Sequence, residues 1–400
     1  MSGRVPVAPR PLPLAHARNG TGFTLCLAHF AARRQRGLLR MFPWLLALAL
    51  TVSAPVPAAV AYPAPVPAPP EQVMAMPPAL QARLHDEVLA DRPSPSQRLE
   101  RLAHFMFDAQ SGLGMTYQED ATYTVAGAYD TRKANCLAFT MLFLALAREA
   151  GLDAYPQEIL QTLAWHQDGD IVYRNSHVNA VVRIGARHYT VDVAGDSVIA
   201  RDQPIPVSDA RLLSHYYNNL AVELLARKQP ESAAQYIATA LQLDPSHAPH
   251  WSNAGVIRLR NGDARAAEDA YERALALEPD EPGALFNMAG LAHRQGDSRR
   301  EAEFRKRLDA VQRRDPFYQV LQAIQYERAG DYPAAIRHYR RAIRLHPDEH
   351  RFYSALARAY LGAGDTRRAA KALARAQHLS DGEQRAAYRA QLDHLRRVSN

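Results

Sequence analysis

Cysteine is nearly absent from this 400-residue chain, which holds only Cys26 and Cys136. Two thiols do not make a disulfide framework. Asp, Glu and Lys are absent from residues 1–61, where seven arginines (Arg4, Arg10, Arg18, Arg33, Arg34, Arg36 and Arg40) carry all the charge. Taking those seven from 48 basic residues leaves 41, equal to the 41 acidic ones. The formal net charge of +7 therefore belongs to the N-terminal segment, and a strongly basic body built for nucleic acid is excluded. A long apolar run is lacking too, because "MFPWLLALALTV" falls short of the roughly 20 residues that span a bilayer.

What is present at the N-terminus reads as an export leader. "RRQRGLLR" is a positive region, the apolar stretch follows it, and "PAAVAY" offers small residues before a cleavage point. The expectation is a periplasmic protein that loses residues 1–61, with an uncleaved membrane anchor as the alternative and Met41 as a second candidate start. Cleavage removes Cys26 and leaves Cys136 as a single thiol in an oxidising compartment. Residues 62–79, rich in proline, read as an extended linker.

The next segment, residues 80–207, reads as an α+β domain. Ser94, Pro95 and Gln97 mark a helix start, and residues 112–133 read as a loop. Asn135 caps an all-apolar helix through "CLAFTMLFLALAREA", closed by Gly151, which predicts a buried central helix. Strand patterns follow in "IVYR", "HVNAVVRI" and "HYTVDV", the last two flanking Gly185-Ala186. A two-residue hairpin loop there sets Asn179 opposite Asp192, with His177 diagonal to Asp192 on the same face.

Residues 208–400 repeat with a period of 34 from starts at 214, 248, 282, 316 and 350. Small residues fill position 8 (Ala221, Gly255, Ala289, Ala323, Ala357) and, outside unit three, position 20 (Ala233, Ala267, Ala335, Ala369). Position 24 is Ile237, Tyr271, Tyr339 or Leu373, and position 32 is Pro245, Pro279 or Pro347. The pattern resembles the tetratricopeptide repeat, which implies an all-α superhelix over 214–383 with a polar capping helix behind it. Unit three departs with Glu301 and Arg305 at positions 20 and 24, so its helices are expected to pack less well. The 208–400 half is expected to fold by itself.

Cys136 at a helix start sits in the positive end of the dipole, which favours thiolate. A histidine at 177 takes and returns the thiol proton, and a carboxylate at 192 orients the ring. The stretches "NCLAFTMLFLALAREAGLDAYPQEI", "RNSHVNAVV" and "HYTVDV" resemble the transglutaminase-like superfamily with its papain-like fold, and the chain looks like exported bacterial proteins that join such a domain to tetratricopeptide repeats. The resemblance implies Cys136 as nucleophile, His177 as base and acid, and Asp192 as orienting carboxylate. It departs from the family at Ala134-Asn135, where glycine is frequent, at Asn179, where an aromatic is common, and at Val193-Ala194, where proline is frequent.

Lesser candidates are Tyr117, Gln118 and Asn135 as oxyanion donors, among which spacing does not choose. His166 with Asp168 and Asp170 at a metal reads better as a loop tip, Trp165 as a cleft wall or packing, and His188 as a solvent-facing residue. No cofactor and no metal ligand set is read from the sequence. Two functions remain: a thiol hydrolase or acyltransferase acting on an amide bond of a protein or cell-envelope substrate held by the repeats, or a catalytically silent adaptor whose concave face binds a protein partner.

Overall fold

The structure is a computed structural model that describes residues 22–25, 66–160, 165–168, 171–174, 177–193 and 203–399, with side chains in 66–160, 177–193 and 203–397. Most of the expected leader lies outside the described residues. Five helices lie between residues 66 and 150: α1 (Pro70–Val73), α2 (Pro78–Glu87), α3 (Pro95–Phe107), α4 (Val125–Thr131) and α5 (Cys136–Glu149). The first three start on proline, whose missing N–H costs nothing in the first turn. The proline-rich stretch is thus no free spacer from Val66 onward. Val73 and Leu80 are fully buried, and the Tyr217 hydroxyl of the first repeat donates to the Ala68 carbonyl.

The Ser94 capping box forms as expected. Residues 112–133 differ from the loop expected there. Thr124 Oγ1 accepts from the Gly127 N–H at 3.0 Å and starts α4, which Arg132 ends in the left-handed region at φ 57°. Burial of Val125 and Ala128 offsets the helix cost of Gly127. Helix α5 is apolar on nearly every face and lies against α3, α4 and the main sheet.

That sheet has the order β1-β8-β7-β4-β9, with β1 Gly22–Leu25, β4 Asp153–Ile159, β7 His177–Ile184, β8 Arg187–Val191 and β9 Ile205–Pro206. Strand β1 runs parallel to β8, and the other pairs are antiparallel. Ile184 pairs with Arg187 across Gly185-Ala186, and Gly185 has φ 61°, so the expected hairpin and register form. Two short pairs stand apart: β2 (Thr116–Tyr117) with β3 (Lys133–Ala134), and β5 (Trp165–Asp168) with β6 (Ile171–Arg174).

Ten helices then pair off: α6 (Asp209–Ala226) with α7 (Pro230–Leu243), α8 (Ala248–Arg260) with α9 (Ala264–Leu277), α10 (Pro282–Gln295) with α11 (Ser298–Arg314), α12 (Pro316–Arg328) with α13 (Tyr332–Leu345), and α14 (His350–Gly362) with α15 (Thr366–Leu379). Helix α16 (Gly382–Ser399) covers the last pair through Tyr388 and Leu392. Among the described residues no helix is long and apolar enough to cross a membrane.

The period has a second signature in the turns. Gly262, Gly296, Gly330 and Gly364 all have φ between 75° and 87°. Each is followed by an aspartate (Asp263, Asp297, Asp331, Asp365) whose carboxylate accepts from the backbone N–H three residues on. Unit one has Lys228 and Gln229 at these places: Lys228 sits at φ 62°, and Gln229 makes no side-chain cap. Unit three also departs from expectation. Helix α11 buries Phe304 and Leu308 in place of Arg305, while Glu301 pairs with His293 at 2.9 Å and Arg305 at 2.7 Å. The weak point lies beyond it, because the apolar core of units two and three ends at α11 and a separate core begins at Phe317.

The expected boundary at 207/208 coincides with the start of α6, yet the core does not stop there. One apolar cluster runs from Val73 through α5 and the sheet to Leu212, Tyr217, Ile237 and Ile257. Arg148 grips Asp209 with two bonds of 2.6 and 2.8 Å. Deeper in, Arg211 of α6 bridges Glu158 of β4 at 3.2 Å and Asp244 at 2.6 Å. Glu158 is completely buried; desolvation opposes its charge, and His215 and Arg211 overcome it to hold its pKa below the usual range.

Lys228→Gly should stabilise the chain by about 1 kcal/mol, because it relieves a left-handed lysine without removing a buried contact. Urea unfolding of the full chain measures it. An equal gain from Lys228→Ala would show that backbone strain is not the cause.

Candidate active site at the start of a buried helix

The N-terminus of α5 is fixed from three sides. The Asn135 backbone N–H donates to the Ala121 carbonyl at 3.1 Å, and its Oδ1 accepts from the Ala138 N–H at 2.9 Å. Its Nδ2 donates to Thr122 Oγ1 at 2.9 Å. The β2–β3 pair holds the approach to the helix, with the Gln118 N–H on the Ala134 carbonyl at 3.0 Å. Cys136 is therefore the first residue of a locked helix end, half-buried, with the helix dipole behind it.

His177 begins β7, the strand next to α5 in the core, and is 5% exposed. Asp192 follows β8 directly, so the hairpin register delivers both residues to one end of the sheet. His177 Nε2 lies 2.7 Å from Asp192 Oδ2, and Asn179 Nδ2 donates to the same oxygen at 2.9 Å. The Cys136 thiol is the other hydrogen-bonding neighbour of the ring. With Nε2 engaged by Asp192, Nδ1 is the nitrogen that remains for the sulfur. Burial works against a charged ring, but the hydrogen bonds to Asp192 and Cys136, and then their charges, raise the His177 pKa to about 10. The three residues singled out from sequence are thus brought together, with Asn179 as a fourth member. Asn179, noted from the sequence as a departure from the resembled family, supplies a hydrogen bond to the carboxylate.

The lesser candidates divide. Asn135 is committed to its cap and to Thr122, and Gln118 Nε2 donates to Asp120 at 2.7 Å. Tyr117 is half-exposed beside the site. Burial first, and then the negative charges of Cys136, Glu119 and Asp192, push its pKa up to about 12, so its hydroxyl keeps its proton and remains a donor. His188 lies on β8 opposite Arg183, at the far end of the hairpin from Asp192. Asp170 and the side chains of Trp165, His166 and Asp168 lie outside the described residues.

Comparison with known proteins bears on the second half of the chain. Family models described as tetratricopeptide repeat match residues 214–247, 252–318 and 327–392. No curated protein matches the chain. Among solved structures, MamA from Desulfovibrio magneticus RS-1 is similar at 18% identity over 42% of this chain and 94% of that one, with a TM-score of 0.24. The pilF protein of Pseudomonas aeruginosa is similar at 16% identity over 46% and 91%, with a TM-score of 0.25. A thermophilic TPR protein of Thermus thermophilus is similar at 21% identity over 45% and 98%, with a TM-score of 0.24. The three matched segments overlap all five helix pairs, and the C-terminal region of the chain carries tetratricopeptide repeats.

Proposed function

We propose that this chain is a protein-binding scaffold of the cell envelope, exported through its N-terminal leader, whose repeats hold an extended segment of a partner protein. The matched tetratricopeptide segments carry this reading, since stacks of this kind present continuous grooves to peptides. The neutral body is unevenly divided. Residues 62–207 hold 11 basic and 17 acidic residues, whereas 316–400 hold 15 basic and 8 acidic. The last two units and the cap therefore favour an acidic partner segment. A fluorescein-labelled Glu-rich peptide should bind the full chain and raise its anisotropy, with affinity falling several-fold as salt shortens the screening length from about 10 Å to about 3 Å. Equal binding of a Lys-rich peptide, or binding indifferent to salt, overturns the acidic-partner reading.

A second reading is favoured by one observation, the 2.7 Å contact of His177 with Asp192 beside the Cys136 thiol. In it the N-terminal domain is a transglutaminase-like thiol hydrolase or acyltransferase, and the repeats deliver its substrate. The Cys136 thiolate attacks an amide carbonyl carbon, and the negative charge moves to the carbonyl oxygen. The first N–H groups of a helix have no intrahelical partner. Asn135 takes that of Ala138, so the N–H groups of Cys136 and Leu137, with the Tyr117 hydroxyl, are the donors for the oxyanion. His177 passes its proton to the leaving nitrogen as the C–N bond breaks, which leaves a thioester on Cys136. Water or an amine, deprotonated by His177, then attacks the thioester and restores the thiolate. The missing glycine before the nucleophile is met by the Asn135 cap, and the missing aromatic by the Asn179 bond to Asp192.

Alkylation of Cys136 by iodoacetamide separates the two readings. The nucleophile reading predicts fast reaction below about pH 7, marked slowing in His177→Ala, and a smaller loss in Asp192→Asn. Reaction confined to above about pH 9, or equally fast without His177, leaves the scaffold reading alone.

A further inference from the structure

Where the sheet meets the first repeats, three buried histidines converge. His215 comes from α6, His247 from the turn before α8, and His250 from α8 itself. They are 6, 9 and 1% exposed, and one ring nitrogen of each lies within 4.8 Å of the others. Their rings meet edge to face at centroid distances of 4.3 to 5.2 Å. Glu158 of β4 stands beside the cluster, with Oε1 3.2 Å from His215 Nε2.

The hydrogen bonds decide which atoms are available. The Ser214 hydroxyl donates its proton to the Arg211 carbonyl at 2.7 Å, so its oxygen is the acceptor in the 3.0 Å contact with His250 Nε2. His250 Nε2 therefore carries the ring proton, and Nδ1 carries a lone pair. A charged ring here would bury an N–H⁺ with no acceptor, so the imidazole is neutral. That Nδ1 atom is buried and makes no hydrogen bond. His215 Nε2 and Glu158 Oε1 are buried as well, and their 3.2 Å approach is off the line a hydrogen bond needs. A lone pair on His250 Nδ1 thus lies within a cluster where one ring nitrogen of each histidine is within 4.8 Å of the others. A buried polar atom left without a partner is destabilising, and a shared cation removes that cost.

We propose that His215, His247 and His250, with Glu158 as fourth ligand, form a binding site for a zinc-class divalent cation that joins the N-terminal domain to the first repeats. Imidazole nitrogens with one carboxylate suit Zn²⁺, and four protein ligands close the tetrahedron, which is the mark of a structural site. Zinc–nitrogen bonds of about 2.0–2.1 Å put tetrahedral ligand atoms roughly 3.4 Å apart, so the three nitrogens, now within 4.8 Å, and the Glu158 carboxylate close in on the ion through side-chain rotation. Ser214 orients the His250 ring from behind, as partners of ligating histidines do. Arg211 and Asp244 make the remaining charges of the pocket. Glu158, Asp244 and Arg211 sum to one negative charge, which the cation reverses. The rival is a proton on His215 shared with Glu158, which satisfies the same carboxylate without metal. The site owes nothing to whether Cys136 is a nucleophile.

The test uses the full chain stripped with chelator and titrated with CoCl₂, then with ZnCl₂. One equivalent of Co²⁺ should bind with the intense visible bands of four-coordinate cobalt, and Zn²⁺ should bleach them and raise the melting temperature. Cys136→Ser should bind identically, which removes the thiol as a ligand. His250→Gln and His247→Ala should abolish the bands. Ser214→Ala, a change that leaves all four ligands in place, should weaken binding about 10- to 100-fold. Absence of a stoichiometric four-coordinate Co²⁺ signal in the native chain, or bands that persist in folded His250→Gln, overturns the proposal in favour of the shared proton.

Discussion

A carboxylate with no exposure to water dictates much of this architecture. Glu158 lies on β4, paired with β7 on one side and β9 on the other, and a buried charge without partners would cost several kcal/mol. Its partners come from the next structural unit: Arg211 and His215, both on the first repeat helix. The strand that carries Glu158 therefore cannot be positioned without that helix. Its neighbour in the sheet is β7, and Ile159, one residue beyond Glu158, pairs with His177. The ring that approaches Cys136 is thus held through a strand whose other anchor is the repeat stack. The continuous apolar core from Val73 to Ile257 is the larger, non-directional part of the same joint.

Within this frame the site is assembled by short-range devices. Asn135 fixes the helix end, Gly185-Ala186 fixes the hairpin register, and Asn179 fixes Asp192. Each acts on a different member of the Cys136, His177 and Asp192 set. The farther repeats serve a different need. Their core breaks between α11 and Phe317, so units four and five form a separate cluster capped by α16. That cluster carries a local basic excess within the neutral body and has an apolar core separate from the one around Cys136.

Legibility in the sequence followed the range of the forces. The 34-residue period was visible because most helix pairs, unit three excepted, pack through the same positions, and the Gly-Asp turns at 262, 296, 330 and 364 repeat the message. The hairpin register was visible because side chains alternate with period two and the loop has two residues. Helix α4 was not visible, since its short run contains Gly127 and exists through burial of Val125 and Ala128. The fold of the proline-rich stretch was also missed, because its stabilising partner, Tyr217, is 149 residues away. The Glu158 pocket was missed for the same reason: its members lie on three elements. The one local hint was "HAPH", two histidines three apart at a helix start.

The central claim is that the N-terminal domain and the first repeats are one cooperative body joined at Glu158. Native-state hydrogen exchange with rising denaturant tests it directly, through the amides of β7 and α6. The account predicts that both sets open with the same free energy and the same denaturant dependence, in a single unit. Opening of α6 at clearly lower denaturant, while β7 stays protected, would contradict it.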